Sequence, residues 1–266
     1  MASRSDHGIR LPRPSESPNE AESRPKVRRE VASLPDGLEH YELLRTLRPV
    51  EGQPALWEHA IELDGNFIPL RAPSSPPPFD PIDPATILGK AGPIEIEIGS
   101  GKGAFLAGYA ELHPDLPLLG IEWTRPIAWY AAQKLHRRPH LKHARFLWGD
   151  ANFFLRDRMP AGCCQAFHVY FPDPWPKKGA RKRRIMQAPL LEQMRRLAVP
   201  GAKLHWGTDH QEYDATTREL LDATDGFRLL VADAGPTDGV MTSFERKYRL
   251  ENRPIYRAIY EIEPKA

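Results

Sequence analysis

The chain has 266 residues, and its 37 Lys and Arg against 35 Asp and Glu leave a net charge of +2, too small to argue for a polyanionic partner. The only cysteines, Cys163 and Cys164, are adjacent, which excludes a disulfide framework and any zinc-type Cys/His spacing; a reducing, cytoplasmic setting without a metal is expected. No apolar run approaches the ~20 residues that cross a bilayer, and the polar N-terminus has no signal-peptide core.

Residues 1–35 are polar, charged and proline-bearing, and are expected to be a disordered tail. Residues 36–92 read as an N-terminal extension, with scattered apolar positions such as Leu43, Trp57 and Phe67. It closes in a proline-rich linker containing Pro73, Pro76, Pro77, Pro78, Pro81 and Pro84. From residue 93 to 266 strands and helices alternate, which implies a mostly parallel sheet covered on both faces.

Ile94–Ile98 is the first predicted strand, followed by the turn Gly99-Ser100-Gly101-Lys102-Gly103 and a helix to about Leu112. Leu116–Glu122 is the second strand, and its helix carries Pro126 in the first turn, where proline is tolerated, and runs to about His136. Ala144–Trp148 forms the third strand, ending in Gly149-Asp150 before a short helix, Asn152–Arg158. Between Trp123 and Gly149 there is no Asp or Glu, while Arg125, Lys134, Arg137, Arg138, Lys142 and Arg145 lie within the stretch. Together with a second basic tract further on, that stretch could make one broad positive face.

The fourth strand, Ala166–Phe171, runs into Pro172-Asp173-Pro174-Trp175-Pro176, where three prolines stop it. Asp173 is thereby placed at the strand's C-terminal mouth between Phe171 and Trp175; Phe171 is expected in the core. Lys177, Lys178, Arg181, Lys182, Arg183 and Arg184 follow, six cations in eight residues. A carboxylate between aromatic rings beside such a tract suits a flat polar ring attached to a polyanion, as in a nucleic acid.

A helix over Ala188–Leu197, a turn at Pro200-Gly201 and a strand over Lys203–Gly207 come next. Thr208-Asp209 ends that strand and is placed to cap the helix that reaches about Ala223. Phe227–Ala232 and Ile255–Ile262 are the final strands, with a charged loop, Gly235–Arg253, between them. Seven strands with acids at successive C-terminal tips describe an open doubly wound sheet, which binds ligands at that edge.

The glycine turn lets backbone approach a ligand at a helix N-terminus, and taken alone it also satisfies the looser dinucleotide pattern. Glu97, two residues before Gly99, would repel a pyrophosphate but welcome an amino group or a sulfonium. Glu122 is placed to accept from ribose hydroxyls, and Asp150 from an adenine amino group. A dinucleotide oxidoreductase leaves Glu97 and the Asp173 loop without a role, and a non-enzymatic RNA-binding module leaves the three tip acids unused.

In order, Glu97-Ile-Gly-Ser-Gly-Lys-Gly, Gly120-Ile-Glu122 and Gly149-Asp150-Ala resemble the class I S-adenosylmethionine-dependent methyltransferases. Phe171-Pro-Asp-Pro-Trp-Pro-Lys-Lys, Lys182-Arg-Arg-Ile, Thr208-Asp209 and Thr242-Ser-Phe-Glu245 narrow this, over about residues 90–262, to a resemblance to the bacterial tRNA (guanine-N7)-methyltransferases. The resemblance implies a Rossmann-like α/β fold with its last strand antiparallel. It implies methyl transfer from S-adenosylmethionine to N7 of a variable-loop guanine in tRNA, with no membrane and no obligate protein partner. Glu97, Gly99, Gly101, Gly103, Glu122 and Asp150 would hold the cofactor, as would Asp173 in part, and Asp173 would also act at the reacting base. Lys177, Asp209, Thr242, Ser243, Phe244 and Glu245 would contact the tRNA; Asp209 is equally placed as a helix cap. The sequence departs from the family at Gly179-Ala180, where Arg-His is common, at Ser243, usually a lysine, and at His210, often a tryptophan.

Overall fold

The computed structural model describes residue 81 and residues 83–265, so the expectations for residues 1–35 and for most of 36–92 lie outside the described residues. Seven strands form one sheet in the order β3-β2-β1-β4-β5-β7-β6. These are β1 (Ile94–Ile98), β2 (Leu118–Glu122), β3 (Ala144–Trp148), β4 (Cys164–Tyr170), β5 (Ala198–Thr208), β6 (Phe227–Val231) and β7 (Tyr256–Ile262). β3 through β5 pair in parallel, and β7 runs antiparallel to both β5 and β6. The expected doubly wound architecture is present, last strand included.

The connecting helices are α1 (Pro84–Leu88), α2 (Ala104–Leu112), α3 (Arg125–His136), α4 (Ala151–Arg158), α5 (Ala188–Leu197), α6 (Gln211–Asp222) and α7 (Ser243–Leu250). α7 lies inside the segment expected to be a charged loop. Its start is a capping signal, Thr242-x-x-Glu245, with Thr242 Oγ1 accepting from the Glu245 N–H at 3.0 Å. β5 is also longer than Lys203–Gly207: the expected Pro200-Gly201 turn is an irregularity inside the strand, where Gly201 takes φ 81° and the register against β4 shifts.

Period-two alternation gives the sheet two different faces. Ile94, Ile96, Ile98, Phe167, Val169, Leu204, Trp206, Ala258 and Tyr260 point to one side, against Leu88, Phe154, Leu155, Leu190, Met194 and Tyr213 of α1, α4, α5 and α6. Full burial of each such side chain is worth roughly 1.5–3 kcal/mol, so this layer supplies most of the cohesion. The opposite side is covered by Phe105, Leu106 and Tyr109 of α2 and by Ala131 and Leu135 of α3. That side carries Glu95, Glu97, His168, Tyr170 and Arg257 among its buried residues, with His205 half-buried.

Glu95, His168, Tyr170 and His205 are linked into one network through Thr237. Glu95 Oε2 lies 2.7 Å from His168 Nε2, His168 Nδ1 lies 3.0 Å from the Tyr170 hydroxyl, and that hydroxyl lies 2.7 Å from Thr237 Oγ1. His205 Nδ1 reaches the same Thr237 oxygen at 3.2 Å, and the two imidazoles stack with centroids 4.7 Å apart. Burial, reinforced by the charge of His168, pulls the His205 pKa down to about 3. Burial alone would raise the Glu95 pKa, but the hydrogen bond and charge of His168 prevail and hold it below the ordinary value.

Candidate active site at the carboxyl edge of the sheet

The chain leaves β1 in one direction along the sheet, through β2 and β3, and returns beyond it to β4 and β5. The crevice between β1 and β4 is therefore the topological switch point, the place where open α/β sheets bind ligands. The glycine turn sits at the end of β1 and the Asp173 loop at the end of β4, so the two most informative stretches of sequence meet there.

Gly99 and Gly101 adopt φ values of 75° and 52°, and a Cβ on either would meet no atom within 4 Å. The turn thus presents bare backbone to open space. Gly103 is different: at φ 65° it is the N-cap of α2, and a Cβ there would fall 2.3 Å from the Phe146 ring. It serves close packing beneath the turn rather than lining the opening.

The three tip acids are on the same edge. Glu122 Oε2 accepts from the Gly101 N–H at 2.9 Å and Oε1 from the Thr124 N–H at 2.7 Å, which fixes its carboxylate beside the turn. Asp150 caps α4, accepting from the Asn152 N–H at 2.8 Å, and burial raises its pKa. Glu97 is 4 % exposed, and its Oε2 is buried with no partner. Burial pushes its pKa well above 4.5, with the Glu122 charge adding and a backbone hydrogen bond from Leu106 opposing. The Ser100 hydroxyl beside it is also buried and unpaired. An orphaned acceptor this deep, next to bare glycine backbone, fits a ligand that brings a cationic or N–H donor. Three carboxylates, those of Glu97, Glu122 and Asp150, therefore lie on one edge of the sheet beside the glycine turn.

Asp173 is exposed, and it is bracketed by Phe171 at φ 51° and Trp175 at φ 41°. These are two of the four non-glycine residues with positive φ among the described residues. Left-handed backbone at bulky residues costs on the order of 1–3 kcal/mol each and is retained where the surroundings over-determine it. Arg184 does part of that, donating from Nε to the Pro174 carbonyl at 2.8 Å while its other nitrogens bind Glu212 and Thr216. At 6 % exposure Arg184 is a strut of the loop, not the phosphate contact that the basic tract suggests. Arg181 also pairs with Glu212, at 3.1 Å, and Arg183 lies over the Trp175 ring at 4.8 Å, whereas Lys177, Lys178 and Lys182 are exposed. Phe171 is half-buried past the strand end, edge-on to Tyr248 of α7 with centroids 5.6 Å apart.

α7 brings the remaining expected residues to this edge. Ser243 and Phe244 are exposed, and Thr242 is the N-cap. Asp209 is not a helix cap: α6 is capped by His210, whose Nδ1 accepts from the Tyr213 N–H, and Asp209 instead pairs with Arg253. Glu245 presents no free carboxylate, because it is 0 % exposed and its two oxygens bind Arg249 and Arg257. Arg253 and Arg257 are missing from the sequence expectations; each acts through a partner distant in sequence, and neither belongs to a recognisable motif. A separate depression of about 510 Å³, lined by Glu95, Tyr109, His113, Asp115 and Gln165, opens near the other end of β1 and β4, away from these acids.

A family model described as "Putative methyltransferase" matches residues 91–258, the span from just before β1 into β7. A tRNA (guanine-N(7)-)-methyltransferase of Rhodopirellula baltica is 33 % identical over 257 residues, covering 88 % of each chain. The chain belongs to this methyltransferase family. Further tRNA (guanine-N(7)-)-methyltransferases, from Polaromonas sp. and Alkalilimnicola ehrlichii, are 36 % and 35 % identical, over 66 % and 70 % of this chain and 71 % and 79 % of their own. In this methyltransferase chain both the glycine turn and the Asp173 loop lie inside the matched span.

Proposed function

We propose that the protein transfers a methyl group from S-adenosylmethionine to N7 of a guanine in the variable loop of cytoplasmic tRNA, forming 7-methylguanosine. The observation that carries the reading is the unpaired, buried Glu97 oxygen beside the bare glycine turn, at the same sheet edge as Asp173.

S-adenosylmethionine, when bound, supplies an electrophilic methyl group on a positively charged sulfur. Glu97 accepts from its amino group, Glu122 from the ribose hydroxyls and Asp150 from the adenine amino group; Gly99 and Gly101 allow close backbone approach. Guanine N7 has a lone pair and no proton, so no general base is required, and rate arises from alignment and electrostatics. Asp173 accepts from guanine N1–H and the N2 amino group, a pattern that adenine cannot match, and it offsets the positive charge left on the methylated ring. Lys177, with Lys178 and Lys182, binds phosphate oxygens, and Ser243 and Phe244 face the RNA from α7. Thr242 and Glu245 act by holding α7 in place, and Asp209 by fixing Arg253.

Incubation with S-adenosylmethionine and unmodified tRNA transcripts, followed by nucleoside mass spectrometry, tests the reading. Formation of 7-methylguanosine is expected. A methyl on another atom overturns the substrate assignment, and no methyl on tRNA overturns the proposed activity.

A further inference from the structure

The acid-free stretch Trp123–Gly149 does not form the single broad face that its composition suggests. Arg145 is buried and donates to the carbonyls of Lys142 and Ala144, while Arg138 and His140 share Glu111. At the rim of the glycine turn the stretch contributes a small cluster. Lys134 donates to the Lys102 carbonyl at 2.7 Å, and its Nζ lies 5.6 Å from the centroid of the Tyr130 ring. Lys102, projecting from the turn itself, places its Nζ 5.8 Å from the same ring, which is 51 % exposed.

α7 adds the exposed Arg246. Burial, then the charges of Arg138, Arg246 and Lys102, depress the Lys134 pKa, with Glu97 opposing. Among the described residues, none of Lys102, Lys134 and Arg246 has a carboxylate partner within ion-pair distance. Like charges gathered without a counter-charge repel one another, and an external anion removes that repulsion. An exposed aromatic ring flanked by cations is a stacking platform for a base whose phosphates the cations hold.

The topology says which part of a substrate this is. A guanine inside an RNA chain leaves its pocket by two phosphodiester arms. The Lys177–Arg183 tract follows β4 and is anchored to α6 through Arg181 and Glu212, on the β4–β5 side of the mouth. α3 follows β2 and covers β2 and β3, on the other side of β1. We propose that Lys102, Tyr130, Lys134 and Arg246 form a second RNA-contact site, which binds the phosphodiester and stacks an unpaired base on the opposite side of the target guanine from the Lys177–Arg183 tract. The proposal rests on the reading of the chain as a tRNA methyltransferase.

The experiment compares wild type, Lys102→Gln/Arg246→Gln, Tyr130→Ala and Tyr130→Phe. It measures the tRNA Kd as a function of KCl concentration, the KM for tRNA and the Kd for S-adenosylmethionine. The double variant is expected to bind tRNA about tenfold more weakly near 0.15 M salt, and its log Kd against log salt slope should fall by about 1.5, the loss of two phosphate contacts. Tyr130→Ala is expected to weaken binding several-fold with the slope unchanged, and Tyr130→Phe to retain wild-type affinity. Unchanged Kd and slope in the double variant, while wild type methylates tRNA, overturns the site. Cofactor affinity falling in the same proportion as tRNA affinity also overturns it, because Lys102 would then serve only the turn. Wild type that forms no 7-methylguanosine is a separate result that removes the underlying reading before any variant is made.

Discussion

Glu245 and Arg257 form an ion pair at 0 % and 3 % side-chain exposure, which ties α7 to β7 where the Arg257 guanidinium also lies 4.6 Å over the Tyr170 ring. Tyr170 is the last residue of β4, so the pair couples the seating of α7 to the strand that carries the Asp173 loop. Glu245→Ala leaves Arg257 buried and charged, and is expected to cost about 3–5 kcal/mol in denaturant unfolding. Glu245→Leu with Arg257→Met removes both charges and is expected to be more stable than either single change. Strictly additive losses in that double-mutant cycle would show that the two side chains are not coupled.

On the proposed function, the state of Glu97 would link pH to cofactor binding. Its pKa in the folded protein is raised above 4.5, so the folded state holds a proton that the unfolded chain releases. The resulting stability is fully present below about pH 4.5 and is lost as pH rises through the raised value. Glu97→Gln is expected to flatten that dependence and to stabilise the ligand-free protein at neutral pH, while weakening S-adenosylmethionine binding at least about tenfold. Calorimetry in buffers of different ionisation enthalpy checks it: a proton released on binding by wild type should be absent in the variant.

Glycines near the turn separate by function. At Gly120 a Cβ would lie 2.4 Å from the Phe146 ring, so Gly120→Ala is expected to lower stability by about 1–3 kcal/mol through overpacking. At Gly101 an added Cβ would meet no atom within 4 Å and φ is 52°, so Gly101→Ala is expected to cost only about 1–2 kcal/mol of backbone strain. On the proposed function, its larger effect is expected on the cofactor, whose approach the methyl group would obstruct. Thermal melts beside cofactor titrations distinguish the two; equal loss of cofactor affinity in both variants would refute the distinction.

Asp173 is exposed, so Asp173→Ala is expected to leave stability within about 0.5 kcal/mol of wild type. The same change should lower kcat/KM for tRNA by about 100-fold or more, the scale of losing a group aimed at developing charge. Turnover close to wild type would remove Asp173 from the mechanism.

β1 and β3 match their expected bounds to the residue, because each is directly followed by a glycine that stops it. α7 is not legible as a helix from composition, although Thr242-x-x-Glu245 is a capping signal. Its Glu245, Arg246, Lys247 and Arg249 read as a solvated charged run, and Glu245 becomes buried only because Arg257 arrives from β7. The same holds for Arg184, which closes a tract of exposed cations while its inward position depends on Glu212 and Pro174.

By itself the sequence determined the α/β order, the glycine turn, the acids at the strand tips and the Asp173 loop, because each depends on neighbours a few residues away. Tertiary structure decided which polar side chains meet. Glu95 and His168 are 73 residues apart in the chain and meet across the parallel β1–β4 pair, while Asp209 and Arg253 are 44 apart and meet in the segments just beyond the paired ends of β5 and β7. A charge's free energy in the interior depends on the partner it finds there. For that reason local pattern could name the acids of this site but could not say that one oxygen of Glu97 lacks a partner while both oxygens of Glu245 have one.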